Sequence, residues 1–147
     1  MLHVGKYAIL GKIGEGASGQ IFKCRSKGDN QTYVCKRIEC SDKSALMNAQ
    51  QESLIMARIT HPHVCRHKEM IIENDKLYII MDYCEKGDLA NYLTRIHANM
   101  SGIKSELVAE HKVWKMFIQI AQALQTIHKN NIVHGDMKPQ NILLTGA

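Results

Sequence analysis

Short segments rich in Ile, Val, Tyr and Phe occupy most of the first half of the chain, a composition typical of β-strands. Five such segments are present, at residues 7–10, 20–24, 32–38, 70–72 and 77–83. Polar turn sequences separate the second segment from the third, at 27–30, and the fourth from the fifth, at 73–76. Because such turns join antiparallel neighbours, the pattern predicts a five-stranded antiparallel sheet.

One helix interrupts these strands, since apolar residues recur at helical spacing from about residue 44 to residue 59. Pro62 follows the helix and ends it. Glu52 lies three residues after Ala49 and four before Met56, a spacing that places its carboxylate on the apolar face. A charge buried there needs a cationic partner. A glutamate at the edge of the apolar stripe, reaching solvent, is the alternative.

After Gly87 the pattern becomes helical, with a short helix predicted over about residues 88–99 and a long one over about 105–129. Residues 100–102 break the first helix, and residues 130–131 stop the second. Two very short strands, 132–133 and 142–144, are predicted around a polar loop. The fold class is therefore α+β, with a sheet region over residues 1–83 and a linking segment plus the start of a helical region over residues 84–147.

Length and composition limit the class of protein. The 147 residues suffice for one ordinary domain, and the 45% hydrophobic and 22% charged residues are globular values. No apolar run exceeds five residues, so neither a membrane-spanning helix nor a secretory signal is expected. The five cysteines contain no Cys-x-x-Cys, which favours reduced thiols and a cytoplasmic or nuclear location.

Charge and metal-ligand spacing bear on two further classes. A net charge of +5 is a mild basic excess that attracts polyanions such as a nucleotide. Only Lys36 and Arg37 form an adjacent basic pair, so no nucleic-acid partner is expected. Potential metal ligands occupy alternate positions at His61, His63, Cys65 and His67. This spacing suits neither a zinc finger nor a helix-borne zinc site, which favours ordinary polar packing of these side chains.

A Gly-x-Gly-x-x-Gly motif at residues 14–19 is the first candidate for chemistry. In dinucleotide-binding folds this motif opens a helix whose N-terminus holds the pyrophosphate, but here residues 20–24 are strand-like. A strand, a glycine turn and a second strand predict a flap whose backbone N–H groups cover phosphates. Taken alone, three glycines in an ordinary hairpin turn explain the motif about as well.

Later features agree with a phosphate site. Lys36 lies on the strand after the flap and Glu52 on the inward face of the next helix, so the two would pair and hold the lysine toward phosphate oxygens. A polar loop follows at residues 133–141, and it contains Asp136, Lys138 and Asn141. An acid to accept a hydroxyl proton, a lysine to neutralise a moving phosphoryl group and an amide oxygen for Mg²⁺ are what phosphoryl transfer requires.

From the strand before the flap to the loop around Asp136, the chain resembles the eukaryotic protein kinases. The resemblance implies ATP and Mg²⁺ as cofactors, with Lys36 on the α- and β-phosphates and Glu52 as its helix partner. It also implies that Asp136 is the catalytic base and Asn141 a Mg²⁺ ligand. Lys138 followed by Pro139 is typical of the serine/threonine class.

The same resemblance implies a pocket for the nucleotide. Its expected residues are the flap residues Gly14, Gly16, Ser18 and Gly19, the apolar walls Ile13, Ile21, Val34 and Leu143, the gatekeeper Met81, the hinge from Asp82 to Cys84, and the ribose-binding Asp88. Segments 61–63, 114–120 and 140–145 look most like the NIMA-related kinases.

Two departures from the family pattern affect the expected function. Gly135 stands where the family has the arginine of His-Arg-Asp, which puts control through a phosphorylated activation loop in doubt. The sequence stops at Ala147, before the family's Asp-Phe-Gly segment. We therefore expect a truncated domain of an ATP-dependent kinase that phosphorylates Ser and Thr of protein substrates, and we expect the 147-residue chain alone to bind nucleotide with little catalysis. The alternative is a catalytically weak or inactive kinase-like module that binds a nucleotide or a protein.

The long helix raises an expectation about partners. It carries Trp114, Phe117, Ile118 and Leu124 on one face, a stripe that nothing later in the sequence covers. Trp114 is expected to be a core anchor rather than a ligand platform. Because large apolar patches are rare on soluble monomers, self-association or a protein partner on this helix is expected, with no membrane partner.

Overall fold

The computed structural model describes residues 2–16, 19–99 and 108–146. The chain forms two compact units. Unit 1 comprises Met1–Thr60 and Cys65–Tyr83, and unit 2 comprises His61–Val64 and Cys84–Ala147. In their described parts, unit 1 holds the sheet and one helix, whereas unit 2 holds the later helices and the polar loop.

The described part of unit 1 contains an antiparallel sheet of six strands, one more than the sequence pattern predicts. The strands are β1 (His3–Val4), β2 (Tyr7–Gly16), β3 (Gly19–Ser26), β4 (Thr32–Glu39), β5 (His67–Glu73) and β6 (Lys76–Asp82). Their order across the sheet is β1-β2-β3-β4-β6-β5. The additional strand, β1, is two residues long, which is too short to show an alternating pattern in the sequence.

The sheet is curled, as shown by side-chain contacts between strands that are distant in the strand order. The hydroxyl of Tyr7 on β2 donates a hydrogen bond of 2.7 Å to the carboxylate of Glu69 on β5, although three strands lie between them. Tyr7 and Tyr33 also contact each other edge to face, with ring centroids 5.9 Å apart. The buried cluster at the centre of this unit comprises Tyr7, Cys24, Tyr33, Cys35 and Ile80.

Both hairpins that the turn sequences predict are present. Strands β3 and β4 join through the turn at 27–30, where Asn30 has a φ of 57°. Strands β5 and β6 join through Asn74 and Asp75, whose φ values are 51° and 56°. Two consecutive positive φ values are typical of the type I′ turn that matches the twist of a hairpin, and Asn and Asp tolerate this conformation better than most residues.

Helix α1 (Lys43–Ala57) lies between β4 and β5 in the chain. Its N-cap is Asp42, whose carboxylate accepts a hydrogen bond of 2.8 Å from the N–H of Ala45. The helix ends two residues before the predicted end, because the N–H groups of Arg58 and Ile59 bond to carbonyls only three residues back. Such tight bonds close the last turn of a helix.

Unit 2 contains α2 (Leu89–Asn99), α3 (Glu110–Lys129) and a 3₁₀ turn (Pro139–Asn141) among its described residues. Helix α3 begins later than the sequence pattern predicts, since residues 108 and 109 are not helical. The predicted break at 100–102 and the predicted helical positions 105–107 lie outside the described residues. No helix in the described ranges has both the length and the apolar character needed to cross a membrane.

The prediction of two short strands around the polar loop is wrong. Residues 132–133 do not form a strand, because the N–H of Ile132 instead donates to the carbonyl of Ile127 at 3.2 Å and completes the end of α3. In the second segment, Leu143 makes one isolated antiparallel bridge with Asp88.

Helix α3 exposes large apolar side chains. Trp114 is 56% exposed and Phe117 61% exposed, and their rings meet edge to face at 5.9 Å. The indole N–H of Trp114 donates to Glu110 at 3.2 Å, on the same exposed face. The expectation that Trp114 anchors a core is therefore wrong for this structure.

Candidate active site

The glycine motif forms the end of the β2–β3 hairpin, as the flap interpretation requires. Gly16 pairs with Gly19, and Glu15 pairs with Gln20. Ser18, predicted to contact the nucleotide, lies outside the described residues. Gly14 lies just after a register shift in β2, and Ile13, on the same strand, is 51% exposed.

Gly19 occupies a position that a residue with a side chain could not take without strain. Its φ is +133°, a conformation that other residues rarely adopt. A Cβ atom built on Gly19 would lie 2.1 Å from the carbonyl oxygen of Arg37 on β4, far inside any real contact distance. The flap therefore packs directly on β4 because residue 19 is a glycine.

One face of the sheet collects the predicted nucleotide-binding side chains of unit 1. Ile21 pairs with Lys36, and Val34 pairs with Met81, in the ladders β3–β4 and β4–β6. Since side chains alternate between the two faces along a strand, these four residues share one face. Their predicted contacts with adenine and phosphate stay predictions, but the sheet brings the residues together.

Lys36 is a half-buried cation in this face. Burial lowers the pKa of its ammonium group. His67 on β5 lies near Lys36. Burial is the largest cause that lowers the pKa of His67, and the positive charge of Lys36 lowers it further. Among the residues that the structure describes, no carboxylate forms an ion pair with Lys36. A half-buried cation without a carboxylate partner favours an anion beside it.

The predicted pair of Lys36 and Glu52 is not formed, and the predicted inward direction of Glu52 is wrong. Glu52 is exposed on α1, whereas its neighbour Ser53 is buried and donates a hydrogen bond of 2.8 Å to the carbonyl of Ala49. The inward face of the helix is centred on Ser53. Ala49 and Met56, from which the sequence pattern placed Glu52 on the inward face, are themselves only half-buried.

The segment predicted as the hinge begins at the end of β6. The N–H of Asp82 donates to the carbonyl of Arg66 at 3.2 Å, and its carboxylate forms an ion pair of 3.3 Å with the Arg66 side chain. The ring of Tyr83 lies under the ammonium of Lys23 at 4.6 Å, a cation–π contact. In unit 2, the carbonyl of Cys84 accepts a hydrogen bond of 3.2 Å from the N–H of Gly87.

The polar loop of unit 2 brings the predicted catalytic side chains together. The carboxylate of Asp136 forms an ion pair of 2.8 Å with Lys138 and accepts a hydrogen bond of 2.9 Å from the amide of Asn141. The Asn141 amide also donates to the backbone carbonyl of Asp136 at 2.7 Å. These contacts, with Lys138 first, lower the pKa of Asp136, so the carboxylate is ionised and can accept a proton or a hydrogen bond.

Gly135 gives this loop its shape. Its φ is +73°, and a Cβ atom there would meet nothing within 4 Å. The residue is therefore selected by backbone conformation and not by close packing. The N–H of the next residue, Asp136, donates to the imidazole of His134 at 3.3 Å. A glycine at this position lets the chain turn so that Asp136 faces Lys138 and Asn141.

The chain that leaves the loop pairs with the segment before α2. The N–H of Leu144 donates to the carbonyl of Gly87, and the N–H of Leu89 to the carbonyl of Ile142, each at 2.8 Å. This pairing brings together the predicted ribose-binding Asp88 and the predicted adenine contact Leu143. Asp88 also caps α2, since its two carboxylate oxygens accept bonds of 2.8 and 2.6 Å from Asn91.

The donor set of the loop fits Mg²⁺ in part. Asn141 uses the nitrogen of its amide for Asp136, so the amide oxygen, the atom that a hard cation prefers, is left for a metal. Within residues 2–16, 19–99 and 108–146, no three His, Cys, Asp or Glu side chains come together as a metal site. Asn141 would hold Mg²⁺ together with phosphate oxygens, as is usual for this ion.

Sequence reasoning missed a contact beside the flap. The carboxamide of Gln20 accepts a hydrogen bond of 2.5 Å from the guanidinium of Arg37 and donates one of 3.3 Å to Glu15. The signal was available, because counting strand partners outward from the turn at 27–30 places residue 20 opposite residue 37.

Comparisons with known proteins agree with this arrangement. A model of the protein kinase domain matches residues 7–147. Serine/threonine-protein kinase Nek1 of Mus musculus is 40% identical over 142 residues, which are 95% of this chain and 11% of that protein. Nek4 of the same species is 32% identical over 95% of this chain and 17% of its own length. ULK3 of Mus musculus is 34% identical over 95% of this chain and 28% of its own length.

The chain thus spans 11% to 28% of the length of these relatives. The match nevertheless covers nearly the whole chain, from β2 through the flap and Lys36 to the loop around Asp136. The chain belongs to the protein kinase family, and its relatives include serine/threonine kinases of the NIMA-related group.

Proposed function

We propose that this chain is the nucleotide-binding and catalytic-loop part of a protein kinase that transfers phosphate from ATP to Ser or Thr of protein substrates. The contact of Asp136 with Lys138 and Asn141 in one short loop carries the proposal. That loop presents an ionised carboxylate, a cation and an amide oxygen within one hydrogen-bonded group, which is the set that phosphoryl transfer uses.

In the proposed reaction, the substrate hydroxyl attacks the γ-phosphorus of ATP. The bond from this phosphorus to the bridging oxygen breaks, ADP leaves, and Asp136 accepts the hydroxyl proton. Lys138 is adjacent to Asp136 and neutralises negative charge on the transferring group. Mg²⁺, when bound, neutralises phosphate charge, with Asn141 as the ligand that this part of the chain supplies.

Lys36 supports the nucleotide part of the proposal. It is a half-buried cation without a carboxylate partner among the described residues, on the face of the sheet that also holds Ile21, Val34 and Met81. A phosphate oxygen beside it would replace the missing counter-charge. The apolar neighbours suit the faces of an adenine ring.

A nucleotide-binding module without phosphoryl transfer is the second candidate. The exposed position of Glu52 favours it, because active protein kinases require an ion pair between the strand lysine and a helix glutamate. The two candidates share ATP binding and differ in catalysis, so one experiment separates them.

The experiment measures phosphate transfer from ATP to a Ser/Thr peptide, together with ATP affinity, for the wild type and Asp136→Asn in a form of the protein that continues through the family's Asp-Phe-Gly segment. We expect transfer by the wild type and a rate at least about 100-fold lower for the variant, because a positioned general base contributes about that much. ATP affinity should change by less than about two-fold, since Asp136 binds the hydroxyl proton and not the nucleotide.

Asp75→Asn is the matched control, because it makes the same chemical change in an exposed turn of unit 1. Its transfer rate should equal that of the wild type. A full rate for Asp136→Asn would contradict the role of the loop. ATP binding by the wild type without any transfer would favour the second candidate.

A further inference from the structure

A chain of polar contacts crosses the sheet from the flap to β6. Glu15, within the flap, contacts the ammonium of Lys12 and accepts a hydrogen bond of 3.3 Å from the carboxamide of Gln20. The carboxamide oxygen of Gln20 accepts a bond of 2.5 Å from Arg37. Both ends of the Gln20 amide are therefore engaged, which fixes its orientation.

Arg37 continues the chain and is itself held in place. Its guanidinium forms an ion pair of 2.9 Å with Glu39, which pairs in turn with Lys76 at 3.5 Å. The guanidinium also lies 5.4 Å from the ring of Phe22. The backbone carbonyl of the same arginine packs against Gly19, so both its main chain and its side chain contact the flap.

These contacts lie on the face of the sheet opposite Lys36. Gln20 pairs with Arg37, and the next position along β3, Ile21, pairs with Lys36. Because consecutive side chains point to opposite faces of a strand, the side chains of Gln20 and Arg37 do not share the face of Lys36. They can hold the flap without contacting a nucleotide on the other face.

We propose that Gln20 and Arg37 are positioning residues for the phosphates of a bound nucleotide, because they tie Glu15 of the flap to β4. With this tie in place, the backbone N–H groups of the described flap residues keep the orientation that phosphate binding needs. Without it, strand pairing and the contact of Gly19 with the Arg37 backbone alone join the flap to the sheet. The inference rests on the proposed binding of ATP by this chain.

The test compares the affinities for ATP and for adenosine, which lacks phosphates, by calorimetric titration of the full chain. Gln20→Leu should weaken ATP binding about five-fold, roughly the effect of one net hydrogen bond, and should change adenosine binding by less than about two-fold. Gln31→Leu makes the same substitution at an exposed position outside these contacts and should change neither affinity.

A double variant tests the contact itself. Glu15→Gln combined with Gln20→Glu exchanges the hydrogen-bond donor and acceptor between the two positions, and the carboxylate at position 20 still accepts from Arg37. Unlike Gln20→Leu, this double variant should bind ATP within about two-fold of the wild type, which a general loss of packing would not allow. An unchanged ratio of ATP to adenosine affinity in Gln20→Leu would overturn this inference alone. A wild type that binds neither ligand would overturn the proposed function and this inference together.

Discussion

At the scale of single residues, Gly19 holds the flap against β4. Gly19→Ala should lower the free energy of unfolding by roughly 1–3 kcal/mol, because a Cβ atom would overlap the Arg37 carbonyl and φ is +133°. Urea unfolding followed by circular dichroism measures the change. Gly11→Ala is the control, since a Cβ atom at Gly11 meets nothing within 4 Å. Equal stability of the two variants would contradict the close approach of the flap to β4.

Among single residues, the sequence predicts the chemistry of the loop better than the orientation of the helix. The order of Asp136, Lys138 and Asn141 predicts one site, and the structure joins them by direct contacts. Glu52 is predicted to face inward, but its neighbour Ser53 is the buried residue. A local motif determines which residues share a short loop, whereas the face of a helix depends on tertiary packing that the sequence pattern shows only approximately.

At the scale of elements, the predicted hairpins and helices are present, and the errors have physical causes. The turns at 27–30 and 73–76 determine their hairpins locally, so the sequence was sufficient for both. Strand β1 is too short to give a pattern. The predicted strand at 132–133 failed because the end of α3 uses the N–H of Ile132. Such competition for backbone hydrogen bonds is not visible in hydrophobic periodicity.

The contact between β2 and β5 predicts how stability depends on pH. Hydrogen bonds from the hydroxyl of Tyr7, the larger cause, and from the ammonium of Lys6 lower the pKa of Glu69. In the turn at 27–30, a hydrogen bond from Lys68 is the largest of the causes that lower the pKa of Asp29. The folded chain therefore binds protons less readily at these carboxylates than the unfolded chain does. Their stabilisation is present above the unfolded pKa values of about 4 and is lost as the pH falls.

Glu69→Gln should accordingly be less stable than the wild type near pH 6, and the difference should shrink near about pH 3, because the unfolded chain already binds a proton at Glu69 below about pH 4. Urea midpoints at the two pH values measure it. The same difference at both values would show that the Glu69 carboxylate does not stabilise the closure of the sheet.

At the scale of the whole molecule, the exposed face of α3 supports the expected self-association, which stays a prediction. Trp114, Phe117 and Ile118 are each more than half exposed. Burying such a patch against a second copy removes apolar area from water. Phe117→Ser should therefore shift the sedimentation coefficient toward that of a monomer. Val133→Ser is the control, because Val133 is 82% exposed but lies outside α3. A wild type that sediments as a monomer at all concentrations would contradict the prediction.

The central claim is that this chain binds ATP through Lys36, and calorimetric titration of ATP and adenosine tests it most directly. Lys36→Ala should weaken ATP binding by about ten-fold or more, as expected when a half-buried charge-assisted contact is lost, and should leave adenosine binding within about two-fold. Lys27→Ala, which removes the same charge from an exposed turn, should change neither affinity. Equal ATP affinity in the wild type and Lys36→Ala would contradict the account.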